Sequence, residues 1–216
     1  MSKKLLFMCV IATILAAVPQ PVRAVPTAHL TRKGGYYSGV GGEFTVTPYG
    51  VSGHTEGTGF QTFCLEYGEF VRLNETYDVV INTVAIRGGV GEQGDPLDPM
   101  TAFLYNAFLD GTLASYGYDY TPGPERSQSA GALQKVIWYI EGERGKDWCP
   151  GSKSEAFYQA AQNCGWTDIG PIRVMNLYKD GEYRQDQLVR VPAPSTILLT
   201  SIGIPLIGWL RRRRVL

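Results

Sequence analysis

The chain has 216 residues with 20 basic and 20 acidic side chains, but seven of the basic residues lie in the two terminal segments, which contain no acidic residue. The part between them therefore holds 13 basic against 20 acidic side chains, a net charge of about −7, which disfavours binding to nucleic acid. With two histidines, His29 and His54, a histidine-rich metal site is disfavoured too, and we expect no cofactor.

The first 24 residues predict an export signal. Lys3 and Lys4 precede a short apolar run, and the segment ends in Ala24, with compact side chains at the usual cleavage positions. Because the run is short for a membrane-spanning helix, we predict a cleaved signal peptide over residues 1–24 rather than an uncleaved anchor. Cleavage would remove Cys9 with the leader.

Residues 25–190 predict one extracytoplasmic domain whose first part is made of strands. Residues 34–59 are rich in glycine and include an alternating run at 43–47, which predicts short strands joined by tight turns. Residues 60–66 form a second candidate strand. Residues 77–86 are strongly β-branched and give the clearest strand pattern of the chain.

Helices are predicted in the middle of this domain. Asp98 is suited to cap a helix that begins with Pro99 and ends at Gly111. Apolar residues recur at helical spacing over residues 127–142, and residues 153–162 suit a third helix.

Two final strands, over residues 172–178 and 187–191, are joined by a predicted hairpin turn at 179–182. The predicted fold class is therefore α+β, with strands at both ends of the domain, an inserted helical part and a C-terminal anchor helix after the domain.

The last 26 residues contain a Pro-x-Pro segment, an apolar run over residues 197–210 and four arginines that we expect to stay cytoplasmic. This order resembles the PEP-CTERM sorting signal of bacterial exopolysaccharide-associated proteins, although Ala193 stands where a glutamate is usual. The matching residues are Val191, Pro192, Pro194, Ser195, Thr196, Arg211, Arg212, Arg213 and Arg214. The resemblance implies membrane anchoring, processing by an exosortase, and a final place in the envelope, on the cell surface or in the extracellular matrix. A plain tail anchor is the alternative.

Three cysteines remain after removal of the leader. Cys149 and Cys164 flank the third predicted helix, and in an oxidising compartment we expect them to form a disulfide rather than to stay free. Cys64 is then left unpaired, which leaves it either buried and inert or committed to a chemical role.

Two short segments form a pair of motifs. Phe63-Cys64 is an aromatic-Cys pair on a predicted strand, and residues 133–138, with Gln134 and Trp138, have the pattern hydrophobic-Gln-x-x-hydrophobic-Trp on a predicted helix. The pair resembles the motifs of thioester domains in bacterial surface adhesins. The resemblance implies an internal thioester between Cys64 and Gln134, shielded by Phe63 and Trp138. It would capture a lysine amine of a target protein once, so the chain would not be an enzyme.

Two other functions are compatible with the same sequence. In a non-covalent structural or exopolysaccharide-associated matrix protein, Cys64 would be a core residue and aromatic side chains would stack on sugars; the candidates are Tyr105, Tyr116, Tyr118 and Tyr120. A cysteine-dependent hydrolase would need a base beside Cys64, and His54, ten residues earlier, is the candidate.

Overall fold

The computed structural model describes residues 24–39, 41–87 and 94–191. The predicted signal peptide, the anchor helix and the sorting signal after Val191 lie outside these residues. Within the described part, no helix is long and apolar enough to cross a membrane.

Within the described residues, six strands form one antiparallel sheet: β1 (Thr27–Thr31), β4 (Phe44–Tyr49), β5 (Phe60–Thr62), β6 (Glu75–Asn82), β9 (Ile172–Lys179) and β10 (Glu182–Arg190). Their order across the sheet is β10-β9-β6-β1-β4-β5. Two small two-stranded sheets pair β2 (Tyr37–Ser38) with β3 (Gly41–Gly42), and β7 (Val84–Ala85) with β8 (Asp95–Pro96).

The large sheet curls until the chain after β5 meets β10 at a seam. Cys64 forms an isolated antiparallel bridge with Gln187, the Leu188 N–H donates to the Phe63 carbonyl at 3.0 Å, and the Leu65 N–H donates to the Asp186 carbonyl at 3.1 Å. The predicted strand at residues 60–66 is therefore split: its first half pairs with β4 and its second half with β10. Pairing at the seam satisfies backbone groups that an open sheet edge would expose.

Three α-helices pack on this sheet: α1 (Pro99–Leu109), α2 (Pro124–Ile140) and α3 (Lys153–Gln162), with a 3₁₀ helix at Thr112–Tyr116. The predicted cap of α1 is confirmed, because the Asp98 carboxylate accepts from the Met100 N–H at 2.7 Å. Helix α2 begins three residues before the predicted start, because Pro124 supplies a helical φ at its first position.

The sheet alternation divides the apolar side chains between two cores. Leu30, Val46, Tyr77, Met175, Leu177 and Val189 fill the inside of the curl. The strand residues that point to the opposite face, such as Phe63, Val174 and Leu188, pack outward against the helices. Their partners are Leu104 and Phe108 of α1, Leu133 and Ile137 of α2, and Phe157 of α3. The observed architecture is a curled antiparallel sheet with three helices, which confirms the α+β class.

Candidate thioester site

Cys64 lies at the seam of the curled sheet with its side chain directed into the curl. Phe44 on β4 is the cross-strand partner of Thr62, and Cys64, two residues further along, lies on the same face. The side chain of Cys64 is fully buried. The sulfur therefore lies at one end of the inner core, where α2 passes the seam.

Helix α2 places the Gln134 carboxamide directly on Cys64. The Gln134 Oε1 accepts from the Cys64 backbone N–H at 3.2 Å and lies 3.3 Å from the Cys64 Sγ, and the Gln134 Nε2 donates to the Cys64 carbonyl at 2.7 Å. Gln134 is only 1% exposed, so these three contacts replace its contacts with water. They fix both the position and the orientation of its carbonyl group beside the thiol.

A buried ion pair anchors α2 to the strand that carries Phe44. The Glu43 carboxylate accepts from Arg126 Nε and Nη2, each at 2.7 Å, and from the Tyr118 hydroxyl at 2.7 Å. Such two-pronged bonds fix geometry as well as adding energy. Because Arg126 belongs to the same helix as Gln134, this pair sets where the carboxamide meets the seam.

Residue 41, which lies beside the Gln134 carboxamide, has to be a glycine. A Cβ at Gly41 would lie 2.5 Å from the Gln134 Cγ and 2.7 Å from the Trp138 Cη2. The small β2–β3 sheet therefore packs its backbone directly on the Gln134 and Trp138 side chains. The glycine-rich pattern of residues 34–59 predicts short strands joined by tight turns, and it does not indicate this contact with α2.

The cluster around the sulfur is made of Phe44, Trp138 and, less deeply buried, Val71. Trp138 thus lies where the predicted shielding role requires. Phe63 does not: its ring packs in the outer core, edge-on to Phe108 with centroids 5.0 Å apart. Adjacent strand residues point to opposite faces, so Phe63 cannot cover Cys64, and Phe44 occupies that place.

The electrostatics of the site favour a neutral thiol. Burial raises the pKa of Cys64 to about 12, while the nearby indole N–H of Trp138 and the positive charge of Arg32 act in the opposite direction. The Trp138 Nε1 is buried and, among the described residues, has no partner at hydrogen-bond geometry. Its N–H is therefore a donor that a thiolate would engage more fully than a thiol.

Trp138 separates Cys64 from a cavity of about 490 Å³, which we name the Trp138 pocket. Its lining residues are Arg32, Phe44, Tyr67, Gly68, Phe70, Val71, Leu73, Trp138 and Gln185. The segment from Tyr67 to Leu73 is held over Trp138 by an edge-on contact between the Tyr67 and Trp138 rings, with centroids 5.0 Å apart. The Glu143 carboxylate also accepts from the Tyr67 N–H at 2.9 Å.

Two buried carboxyl groups stabilise the seam next to Cys64. Glu66 accepts from the Asp186 N–H at 2.8 Å and from the Arg87 N–H at 3.1 Å, and Asp186 accepts from the Ile86 N–H at 2.7 Å. Burial raises the pKa of both carboxyl groups, and the charge of Asp186 raises that of Glu66 further. Asp186 lies at a register shift of β10, so no regular strand pattern predicts this pair.

The predicted Cys149–Cys164 disulfide is absent from the structure, where both residues are free thiols. Cys149 is exposed and lies before the cap residue Ser152, whereas Cys164 is half-buried after the end of α3, where its sulfur accepts from the Trp166 N–H at 3.3 Å.

The residues behind the two alternative functions lie elsewhere. The His54 Nε2 lies 2.9 Å from the Arg190 carbonyl and its ring packs on Phe60, so its described contacts do not include Cys64. Tyr105 and Tyr118 are buried, and of the four candidate tyrosines only Tyr116 is exposed. The described residues contain no group of three or more His, Cys, Asp or Glu side chains suited to a metal.

Val191, the first residue of the predicted sorting signal, donates its N–H to the Pro171 carbonyl at 2.9 Å at the end of the described chain. The other matching residues of that signal lie outside the described part.

Comparison with known proteins gives a match among solved structures only. No family model matches the chain, and no curated protein matches it. Among solved structures, the chain is similar to the N-terminal thioester domain of a surface protein from Clostridium perfringens, with 12% identity and a TM-score of 0.47. The similarity covers 76% of this chain and 96% of that chain.

Proposed function

We propose that the domain forms an internal thioester between Cys64 and Gln134 and uses it for a single covalent capture of an amine, as an adhesin-like module. The observation that carries this proposal is the pair of hydrogen bonds between the Gln134 carboxamide and the Cys64 backbone, with the sulfur 3.3 Å from Oε1. The sulfur therefore lies beside the carbonyl group that it would attack, and placing two reacting groups together lowers the barrier to their reaction.

Formation of the bond requires only these two residues. The Cys64 Sγ attacks the Gln134 Cδ, and the negative charge that develops on Oε1 is stabilised by the Cys64 N–H, which already donates to that atom. The carbon–nitrogen bond breaks, the thiol proton passes to the departing nitrogen, and ammonia leaves. The product is a thioester enclosed by Phe44 and Trp138, which exclude water.

Capture is the reverse of thioester formation, with a different amine in place of ammonia. The amine nitrogen attacks the same carbon, the carbon–sulfur bond breaks, and a proton from the amine passes to the Cys64 sulfur. The partner is then joined to Gln134 by an amide bond and Cys64 returns to a thiol. The thioester is consumed, so the domain captures once and does not turn over; a lysine amine of a protein is the partner we expect.

The intact mass of the protein tests this proposal. We expect wild-type protein to be lighter than its sequence mass by one molecule of ammonia, and the Cys64→Ala and Gln134→Ala variants to have their full masses. Methylamine should then add one molecule to the wild-type protein, at Gln134. A full wild-type mass with a free Cys64 thiol would exclude the thioester and leave a non-covalent envelope or matrix role.

We further propose that the chain is exported, anchored through residues 197–210 and processed by an exosortase, on the strength of the leader and the PEP-CTERM-like signal described above. The net charge of about −7 between the two ends agrees with a surface role that does not involve nucleic acid. Cell fractionation tests it: replacing both Pro192 and Pro194 should leave the protein in the membrane fraction in its unprocessed form. Release of that variant at the wild-type rate would exclude the sorting signal.

A further inference from the structure

The Trp138 pocket lies against the proposed reaction centre. Trp138 and Phe44 both line the pocket and both pack on Cys64, so these two rings form the wall between the cavity and the sulfur. Cys64 and Gln134 are 0% and 1% exposed, so a nucleophile has to pass a wall to reach them. The pocket volume of about 490 Å³ lies within the range of about 300–1,000 Å³ that small-molecule sites occupy.

The lining of this pocket is apolar except for one charge and one amide. Arg32 is the single charged side chain among the described lining residues, Gln185 supplies the amide, and no carboxylate is present. At the rim, Phe70 is 72% exposed, and the lining residues Tyr67 and Leu73 are 40% and 39% exposed, so the three form an exposed apolar patch. An occupant is therefore expected to cover Phe70 with apolar surface.

Aromatic rings attract cations, so an ammonium group has to be considered as the occupant. Two of the lining rings, however, already carry guanidinium groups: Arg32 lies 4.3 Å from the Phe44 centroid, and Arg144, which also pairs with Asp147 at 3.7 Å, lies 4.3 Å from the Tyr67 centroid. A further positive charge in the pocket would be repelled by Arg32, whereas a negative charge would be attracted to it.

We propose that the Trp138 pocket selects the capture substrate: a primary amine on an apolar stem that also carries an anionic group, and not a second cation. This inference rests on the proposed thioester for its reaction and on the pocket for its selectivity. The amine attacks the Gln134 Cδ as free base, the carbon–sulfur bond breaks, and its proton passes to the Cys64 sulfur. The apolar stem covers Phe70 and the anionic end pairs with Arg32.

Three amines with the same five-carbon stem test the selectivity: pentylamine, cadaverine with a second ammonium, and ε-aminocaproate with a carboxylate. Adduct formation on the full chain is followed by intact mass, and rates are compared at equal free-base concentration. We expect ε-aminocaproate to react fastest and cadaverine slowest, with about a tenfold spread, since an exchange of attraction for repulsion at a half-buried charge has that size. Equal rates, or cadaverine fastest, would overturn the proposal.

Variants locate the effect in the pocket. Arg32→Gln should remove the order among the three amines, and Arg32→Lys should keep it. Phe70→Ala should slow all three amines several-fold more than it slows methylamine, because methylamine is too small to reach the rim. Tyr49→Ala, another exposed aromatic residue outside the lining, is the matched control and should change no rate.

A binding measurement separates this proposal from the proposed function. In the Cys64→Ala variant no thioester forms, yet hexanoate should shift the NMR signal of the Trp138 indole N–H, and Arg32→Gln in that background should weaken the effect. Hexanoate binding without an ammonia deficit in the wild-type protein would retain the pocket and exclude the thioester. A thioester that reacts with all amines alike, with no hexanoate binding, would retain the thioester and exclude the pocket.

Discussion

Replacement of Gly41 by alanine is the sharpest test of the site geometry. The new methyl group would lie 2.5 Å from the Gln134 Cγ and 2.7 Å from the Trp138 Cη2, closer than carbon atoms approach without a shift of one partner. The φ of Gly41 is not in the left-handed region, so alanine causes no backbone strain and its effect is purely steric.

The size of the effect follows from these contacts. To reach ordinary contact distance, the Gln134 side chain has to move by about 1 Å, and displacement of a reacting group by that amount costs roughly 100-fold in rate. We therefore expect thioester formation to slow by about two orders of magnitude. Overpacking should also lower the free energy of unfolding by about 1–3 kcal/mol, and Tm by about 2–4 °C for each kcal/mol.

The assay follows loss of ammonia by intact mass at intervals after the protein folds, together with Tm. Gly34→Ala is the matched control, because a Cβ there meets no atom within 4 Å and its φ is also outside the left-handed region. If Gly41→Ala acquired the thioester as fast as Gly34→Ala, with the same Tm, the described packing of Gly41 on Gln134 would be refuted.

Three further predictions concern the surrounding fold. Glu43→Ala leaves the buried guanidinium beside it unpaired and should lower the free energy of unfolding by about 3–5 kcal/mol in a denaturant titration; a loss below about 1 kcal/mol would contradict the pairing. Burial raises the pKa of Glu141 to about 8, so the folded state binds more protons than the unfolded state between about pH 4.3 and pH 8 and stability falls as pH rises through this window. Glu141→Gln should reduce that slope when unfolding is measured across these pH values, and an unchanged slope would exclude Glu141 as its source. In the folded Gln134→Ala variant, whose Cys64 keeps its thiol, maleimide should label Cys149 and Cys164, counted by mass, and should reach Cys64 only after unfolding; protection of the first pair until reductant is added would establish the disulfide that the structure lacks.

Locally encoded elements were predictable from the sequence. The Asp98 cap with Pro99 gave the start of α1, helix α3 has the predicted limits of residues 153–162, and the β9–β10 turn lies within the predicted segment. In that turn Asp180 and Gly181 have φ values of 54° and 79°, which are the left-handed values that a two-residue hairpin loop needs. Each of these signals lies within a few residues of the structure that it specifies.

The site was predictable only in part, because some of its contacts join residues that are far apart in the sequence. Cys64 and Gln134 were found through short motifs, but Phe44 reaches the sulfur through the register that pairs it with Thr62, 18 residues away, and no local pattern encodes that register. Gly41 depends in the same way on the approach of α2. The shielding role predicted for Phe63 conflicts with strand geometry, because neighbouring residues of a strand point to opposite faces and Phe63 adjoins Cys64.

Storage and release of the proposed thioester depend on different groups of the same site. Burial raises the pKa of the Cys64 thiol, which makes its thiolate a poor leaving group, and Phe44 and Trp138 exclude water, so the bond is stable while no amine is present. When an amine attacks, negative charge moves onto the sulfur, and the two groups that oppose the pKa shift, the Trp138 N–H and the Arg32 charge, stabilise it there. Because both residues also line the Trp138 pocket, a substrate that fills the pocket contacts the same side chains that stabilise charge on the sulfur. Arg32 would then contribute both to the choice of substrate and to the reactivity of the bond.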